Sequence, residues 1–102
     1  MPEPELKFGL DKKTIAKIQQ VFEKYPQIEE VIIFGSRAKG NYKTGSDVDL
    51  ALKGSALNLK IINRINNELD DLLLPYTFDL IDLSSISNTE LLEHIKRVGK
   101  SF

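Results

Sequence analysis

Apolar residues recur every three or four positions in three stretches of the chain, which is the spacing of one helix face. The first stretch follows Asp11, a predicted N-cap, and ends before the next proline. The second stretch covers residues 57–73. The third predicts a helix that is opened by Ser87 and Glu90, which have capping-box spacing, and that stops at Gly99.

Short β-branched and aromatic runs separate these helices and predict three strands, at residues 31–34, 47–52 and 77–83. A single helical turn is predicted at residues 36–39. The order helix, strand, strand, helix, strand, helix indicates an α/β (α+β) fold, with helices packed on a small mixed sheet. The short connection between the first two strands favours an antiparallel pair there.

Composition narrows the class of protein. A chain of 102 residues suits one domain, expected at residues 11–102 after a flexible leader at residues 1–10. No apolar run approaches the length of a membrane span. The absence of cysteine excludes disulfides and thiolate metal sites and fits a cytoplasmic location. A net charge of -1 gives no electrostatic reason to expect general nucleic-acid binding.

The candidate chemistry is concentrated between two short motifs. Gly35 and Ser36 follow a predicted strand, where glycine allows close approach to a ligand and a helical start presents N–H groups to an anion. The same pattern is also typical of an ordinary turn. Asp47 and Asp49 are one residue apart, so a strand places both carboxylates on one face. A divalent cation between them would explain the pair, and a solvated edge-strand face is the alternative.

A third carboxylate is available in the last predicted strand. Asp79 lies between Phe78 and Leu80, which are expected to be buried, and an acid in an apolar strand needs a partner or a metal. Asp82 is the competitor, but it points to the opposite face and suits a turn or cap before the serines that follow it. We therefore favour Asp79 over Asp82. Three aspartates without histidine suit Mg²⁺ better than zinc.

Positively charged residues lie in the loop between the two motifs. Arg37, beside Ser36, is predicted to neutralise phosphate charge, with an ordinary solvated loop cation as the alternative. For Lys39 and Lys43 the solvated role is favoured. His94, on the last predicted helix, is interpreted as a structural or surface residue.

The combined pattern resembles a known family. Gly35-Ser36, ten residues, Asp47-Val48-Asp49 and a later Asp79 resemble the polymerase-β-type nucleotidyltransferase superfamily. The fuller strings at residues 34–40 and 46–50 resemble its minimal nucleotidyltransferase (MNT) branch. The resemblance extends over nearly the whole chain, from about residue 11 to residue 99.

The resemblance implies a nucleotidyltransferase fold, ATP as the substrate and Mg²⁺, with two ions expected. Residues 11–102 would then form a single nucleotidyltransferase domain. The resemblance implies that metal is held by Asp47, Asp49 and Asp79, and that nucleotide is bound by Gly35, Ser36, Arg37 and Ser46.

The resemblance also implies a partner. In the MNT branch a separate helical HEPN protein acts as the toxin and the MNT protein as the antitoxin, in some pairs by transferring AMP to a tyrosine of the HEPN protein. Two alternatives remain open, a non-catalytic module that neutralises a HEPN partner by complex formation and a transferase acting on a small molecule. Association as a homo- or hetero-oligomer is also open, and the sequence singles out no face for it.

Overall fold

The computed structural model describes residues 6–43 and 45–102, which contain four helices and four strands. The elements are α1 (Lys12–Glu23), β1 (Glu30–Phe34), α2 (Gly35–Lys39), β2 (Val48–Lys53), α3 (Leu59–Asp71), β3 (Phe78–Asp82), α4 (Thr89–Val98) and β4 (Lys100–Ser101), with a 3₁₀ turn at Leu83–Ser85. The predicted order is confirmed, and β4 is an addition that is too short to leave a sequence pattern. No helix in the described part of the chain is long and apolar enough to cross a membrane.

The four strands form one mixed sheet in the order β3-β2-β1-β4. Strand β1 pairs antiparallel with β2 and with β4, whereas β2 and β3 are parallel. The predicted antiparallel pair and the mixed sheet are therefore confirmed. The parallel pair has consequences for the site, because it sets Asp49 of β2 directly opposite Asp79 of β3.

The two faces of the sheet bury clusters of different size. The larger cluster joins α1 and α3 to one face and includes Ile18, Phe22, Ile62, Ile65, Leu69, Ile33, Val48, Leu50 and Leu52. The smaller cluster joins α4 to the other face through Phe34, Ala51 and Ile95. Because side chains alternate along a strand, Asp49 shares the α4 face with its second neighbour Ala51.

Side-chain caps fix where the helices begin. The Asp11 carboxylate accepts a hydrogen bond of 2.7 Å from the Thr14 amide, so the predicted N-cap of α1 is confirmed. The prediction for α4 was wrong by one residue. Asn88, rather than Ser87, is the N-cap, and its side chain accepts from the amides of Glu90 and Leu91. Both residue types are good caps, so spacing alone did not separate them.

Residues 6–10, which were predicted as part of the leader, contact the rest of the fold in the structure. Lys7 and Leu10 exchange two backbone hydrogen bonds of 2.9 Å, and Leu10 is fully buried. The ring of Phe8 stacks on Phe102 with centroids 6.4 Å apart. This short turn lacks the length to show periodicity in the sequence. The remainder of the predicted leader, residues 1–5, lies outside the described residues.

Candidate active site

Strand register assembles a row of side chains at one end of the α4 face. Asp49 of β2 is the register partner of Phe34 on β1 and of Asp79 on β3. Residues paired in adjacent strands project to the same face, so Asp49 and Asp79 are lateral neighbours. The next row along this face consists of apolar Ala51 and Ile81. This end of the sheet therefore carries two acids, Asp49 and Asp79, next to a small apolar cluster. We call these two acids, together with Asp47 just before β2, the acidic row.

The electrostatics of the row centre on Asp49, which is half-buried, while Asp47 is exposed just before β2. Burial raises the pKa of Asp49 above its usual range, and the carboxylates of Asp79 and Asp47 raise it further. His94 and Arg37 act in the opposite direction. The three acids are therefore within electrostatic reach of one another, and a cation in the row would relieve their repulsion.

Asp79 reaches this row for a different reason than predicted. The sequence argument assumed a buried acid, but the Asp79 side chain is exposed, because strand alternation turns it away from buried Phe78. Asp82 caps the following 3₁₀ turn, accepting from the amide of Ser84 at 3.1 Å and from its hydroxyl at 2.7 Å. Within residues 6–43 and 45–102, no three acidic or histidine side chains already converge as a complete metal-binding group.

Gly35 brings the first motif into contact with the second. It is the first residue of α2 and has a φ of 72°, a conformation that glycine adopts at little cost. A Cβ atom there would lie 2.3 Å from Oδ2 of Asp49, far inside van der Waals contact. Ser36 follows in the first turn of α2, whose N–H groups have no partners within the helix. The turn and the acidic row thus meet at the Asp49 carboxylate.

The Arg37 side chain has neither of the two environments expected from the sequence, a phosphate site or solvent. Its side chain is only 3% exposed. Nε and Nη2 donate to the Ser46 carbonyl oxygen at 3.1 and 2.8 Å, and Nη1 donates to the Phe8 carbonyl oxygen at 2.9 Å. The rings of Tyr42 and Tyr76 lie 5.2 and 5.0 Å from the guanidinium carbon. Arg37 therefore contacts the protein backbone where phosphate binding or solvation was predicted.

Ser46 closes the turn that leads into the acid pair. Its hydroxyl oxygen accepts from the Lys43 amide at 2.8 Å, and its own amide donates to the Lys43 carbonyl at 3.0 Å. These bonds give Ser46 a structural role in the loop. The side chains of Lys39 and Lys43 are exposed, which agrees with the solvated role favoured for both.

His94 lies beside the site, which the sequence did not predict. The imidazole of this half-buried residue meets the Phe34 ring edge-on, with centroids 6.3 Å apart and planes at 83°. Its proximity to the acids depends on how α4 packs on the sheet. No motif spacing carries that information, so sequence reasoning could identify only its position on the helix.

This fold is that of the nucleotidyltransferases, the class that the two motifs had predicted. The chain matches the model of the family described as "Polymerase beta, Nucleotidyltransferase" over residues 16–102, and it belongs to that family. No curated protein sequence shows significant similarity to the chain.

Solved structures add relatives with the same fold. A toxin–antitoxin complex with AMP-PNP matches at a TM-score of 0.70 and 26% identity, covering 90% of this chain and 72% of that one. A complex of a tri-AMPylated Shewanella oneidensis HEPN toxin with MNT antitoxin matches at a TM-score of 0.66 and 23% identity, covering 88% of this chain and 69% of that one. A putative nucleotidyltransferase from Sulfolobus solfataricus matches at a TM-score of 0.54 and 24% identity, covering 88% of this chain and 77% of that one. The last two likenesses establish a shared fold alone.

Proposed function

We propose that this protein is a Mg²⁺-dependent nucleotidyltransferase that transfers AMP from ATP to a hydroxyl group. The observation that carries the proposal is the packing of Gly35 against the Asp49 carboxylate, with Asp79 beside it in register. This arrangement brings the turn at Gly35-Ser36 and the acidic row to one place, and we propose that the turn binds phosphate. We further propose that the acceptor is a tyrosine of a HEPN-type toxin, so that the protein acts as an antitoxin in the cytoplasm.

The acids of the row suit magnesium by their chemistry. Carboxylate oxygens are the ligands that Mg²⁺ prefers. The pKa of Asp49 is raised by burial first and then by repulsion from Asp79 and Asp47, and a cation would relieve that repulsion. Asp47 and Asp49 would hold the ions at the triphosphate, and Asp79 would complete the second site. Bound Mg²⁺ would neutralise phosphate charge and lower the pKa of the attacking hydroxyl.

The chain's own groups orient the reactants. The N–H groups at the start of α2, with the Ser36 hydroxyl, would bind the phosphates of ATP. The acceptor oxygen would give its proton to solvent water and form a bond to the α-phosphorus, while the bond from that phosphorus to the oxygen that bridges it to the β-phosphorus breaks. AMP is then attached to the acceptor, and pyrophosphate leaves.

The solved relatives support a HEPN toxin as the partner and as the protein that receives AMP. One contains AMP-PNP in a toxin–antitoxin complex, and another pairs an MNT antitoxin with an AMPylated HEPN toxin. A second candidate function is neutralisation of the HEPN partner by binding alone. The presence of Asp47, Asp49 and Asp79 argues against it, because binding alone does not require these three acids.

Labelled ATP provides the direct test. Incubation of the protein with Mg²⁺, α-labelled ATP and the candidate HEPN partner should label the partner on tyrosine. Asp47→Asn and Asp49→Asn should each lower the rate by about two to three orders of magnitude, because each removes a proposed metal ligand. A folded protein that leaves the correct partner unlabelled would refute the enzyme proposal.

Strand β3 offers a matched pair of variants for the third acid. Asp79→Asn should lose activity, whereas Asp82→Asn, on the other face of the same strand, should keep it. Measurement of toxin neutralisation in cells then separates the two candidate functions. Full neutralisation by a catalytically dead Asp79→Asn protein would favour the binding module.

A further inference from the structure

Arg37 connects three segments that are distant in sequence. It belongs to α2, it donates to the carbonyl of Phe8 in the N-terminal turn, and it donates twice to the carbonyl of Ser46. Ser46 immediately precedes Asp47 and lies three residues before Asp49. Through these bonds the guanidinium fixes the backbone at the point where the chain enters the acidic row.

The surroundings of the guanidinium supply hydrogen-bond acceptors, aromatic rings and space that suit an arginine side chain. A buried charge is costly unless its donors are paired, and here the two carbonyls and the two flanking tyrosine rings supply the partners. Gly9 has no side chain, and this leaves the space that the guanidinium and the Tyr42 ring occupy. A Cβ atom there would lie 2.7 Å from Nη1 of Arg37 and 2.6 Å from the Tyr42 ring. A side chain at position 9 would therefore require the guanidinium or the Tyr42 ring to shift.

We propose that Arg37 is a positioning residue, which holds the Asp47–Asp49 segment in place through the Ser46 carbonyl and is itself held by the turn at Phe8–Gly9. The proposal rests on the proposed function in one respect, namely that these aspartates hold the cations. The N-terminal turn then helps to set the geometry of the site through Arg37, although that turn contributes no side chain to the acidic row.

The first variant is Arg37→Lys, which keeps the positive charge but loses the planar fork that donates two bonds to one carbonyl. Three quantities are measured on the folded protein: amide exchange in residues 45–48, Mn²⁺ affinity by electron paramagnetic resonance, and kcat against KM for AMP transfer. We expect faster exchange, Mn²⁺ affinity weaker by about 10- to 100-fold, and a lower kcat, since outer partners of metal ligands have effects of this size.

The second test uses two glycines as a matched pair. Gly9 and Gly40 have φ values of 76° and 86°, so alanine strains the backbone similarly at both. A Cβ at Gly9 meets Arg37 and Tyr42, whereas a Cβ at Gly40 meets nothing within 4 Å. Gly9→Ala should therefore weaken Mn²⁺ binding and speed exchange in residues 45–48, and Gly40→Ala should do neither. If Arg37→Lys fails to fold, the comparison of Gly9→Ala with Gly40→Ala still tests the positioning role of Arg37.

The outcomes separate the two proposals. A wild-type protein that binds no Mn²⁺ would refute the proposed function, and amide exchange in residues 45–48 would still decide the role of Arg37. Wild-type exchange and Mn²⁺ affinity in both Arg37→Lys and Gly9→Ala would overturn the positioning role. Equal losses in Gly9→Ala and Gly40→Ala would do so as well, because they would trace the effect to backbone strain alone.

Discussion

Asp49 is the residue at which stability and function oppose each other. It is half-buried, it adjoins two other carboxylates, and its charged form is disfavoured in the folded protein. Paired or solvated aspartates have the opposite property, because folding favours their charge. A group retained at a cost to stability is typical of a functional site.

Replacing Asp49 with asparagine should therefore raise the free energy of unfolding at neutral pH in metal-free buffer. The folded pKa is raised, so the folded state binds the proton more tightly than the unfolded state. The associated stability is present below the ordinary value of 3.8 and is lost as pH rises through the folded pKa. Urea unfolding of both proteins checks this, and the advantage of Asp49→Asn should vanish below pH 3.8. An advantage that does not depend on pH would contradict the electrostatic explanation.

Gly35→Ala tests the contact between the two motifs. A Cβ at 2.3 Å from the Asp49 oxygen must displace that carboxylate, and displacements of about 1 Å in an active site cost roughly 100-fold in rate. Gly45→Ala is the control, because its φ of 82° imposes similar strain while its Cβ meets nothing within 4 Å. Both variants should lose about 1 kcal/mol of stability, but only Gly35→Ala should lose AMP transfer. Equal activities would refute the contact.

At the scale of the elements, the long apolar stripes were sufficient to predict which helices and strands form. They did not fix every boundary of those elements. Helices α1 and α3 and the three longer strands follow from periodicity, since each buries a face over several residues. Strand β4 has two residues and pairs with β1 at the edge of the sheet, so it shows no period. The start of α4 depended on which of two adjacent polar side chains reaches the helix amides, a choice that only the backbone angles decide.

The cap of α4 gives an element-scale prediction. Asn88→Ala should lower the free energy of unfolding by about 1 kcal/mol, because the side chain that accepts from the Glu90 and Leu91 amides is removed. Ser87→Ala should leave it nearly unchanged. Chemical denaturation of the two variants measures both values. A larger loss from Ser87→Ala would restore the boundary predicted from capping-box spacing.

At the scale of the whole molecule, the sequence revealed the parts of the site that lie along one segment and missed those that depend on packing. Only the short helix α2 and one loop separate Gly35 from Asp49, so their meeting was predictable. The partners Arg37 and Phe8 are 29 residues apart, and nothing local marks Phe8 as an acceptor. The exposure of Asp79 and the position of His94 likewise depend on how distant elements pack.

Phe102 contacts several residues that are distant from it in sequence, including one in the turn that holds Arg37. Its ring stacks on Phe8 and meets Phe22 edge-on, both with centroids 6.4 Å apart. Its amide donates to Val31 and its carbonyl accepts from Gln19. The turn that holds Arg37 is thus packed against a residue from the far end of the described chain.

Phe102→Ala should accordingly lower the free energy of unfolding by about 2 kcal/mol, less than for a fully buried phenylalanine because the ring is half-buried. The loss should not be uniform in its effects. Amides of residues 7–10 should exchange faster under native conditions, since their packing partner is gone, while those of α3 should change only by the global loss. Hydrogen exchange resolved by residue measures both. A uniform increase in every element would mean that Phe102 stabilises the fold without specifically holding the turn that supports Arg37.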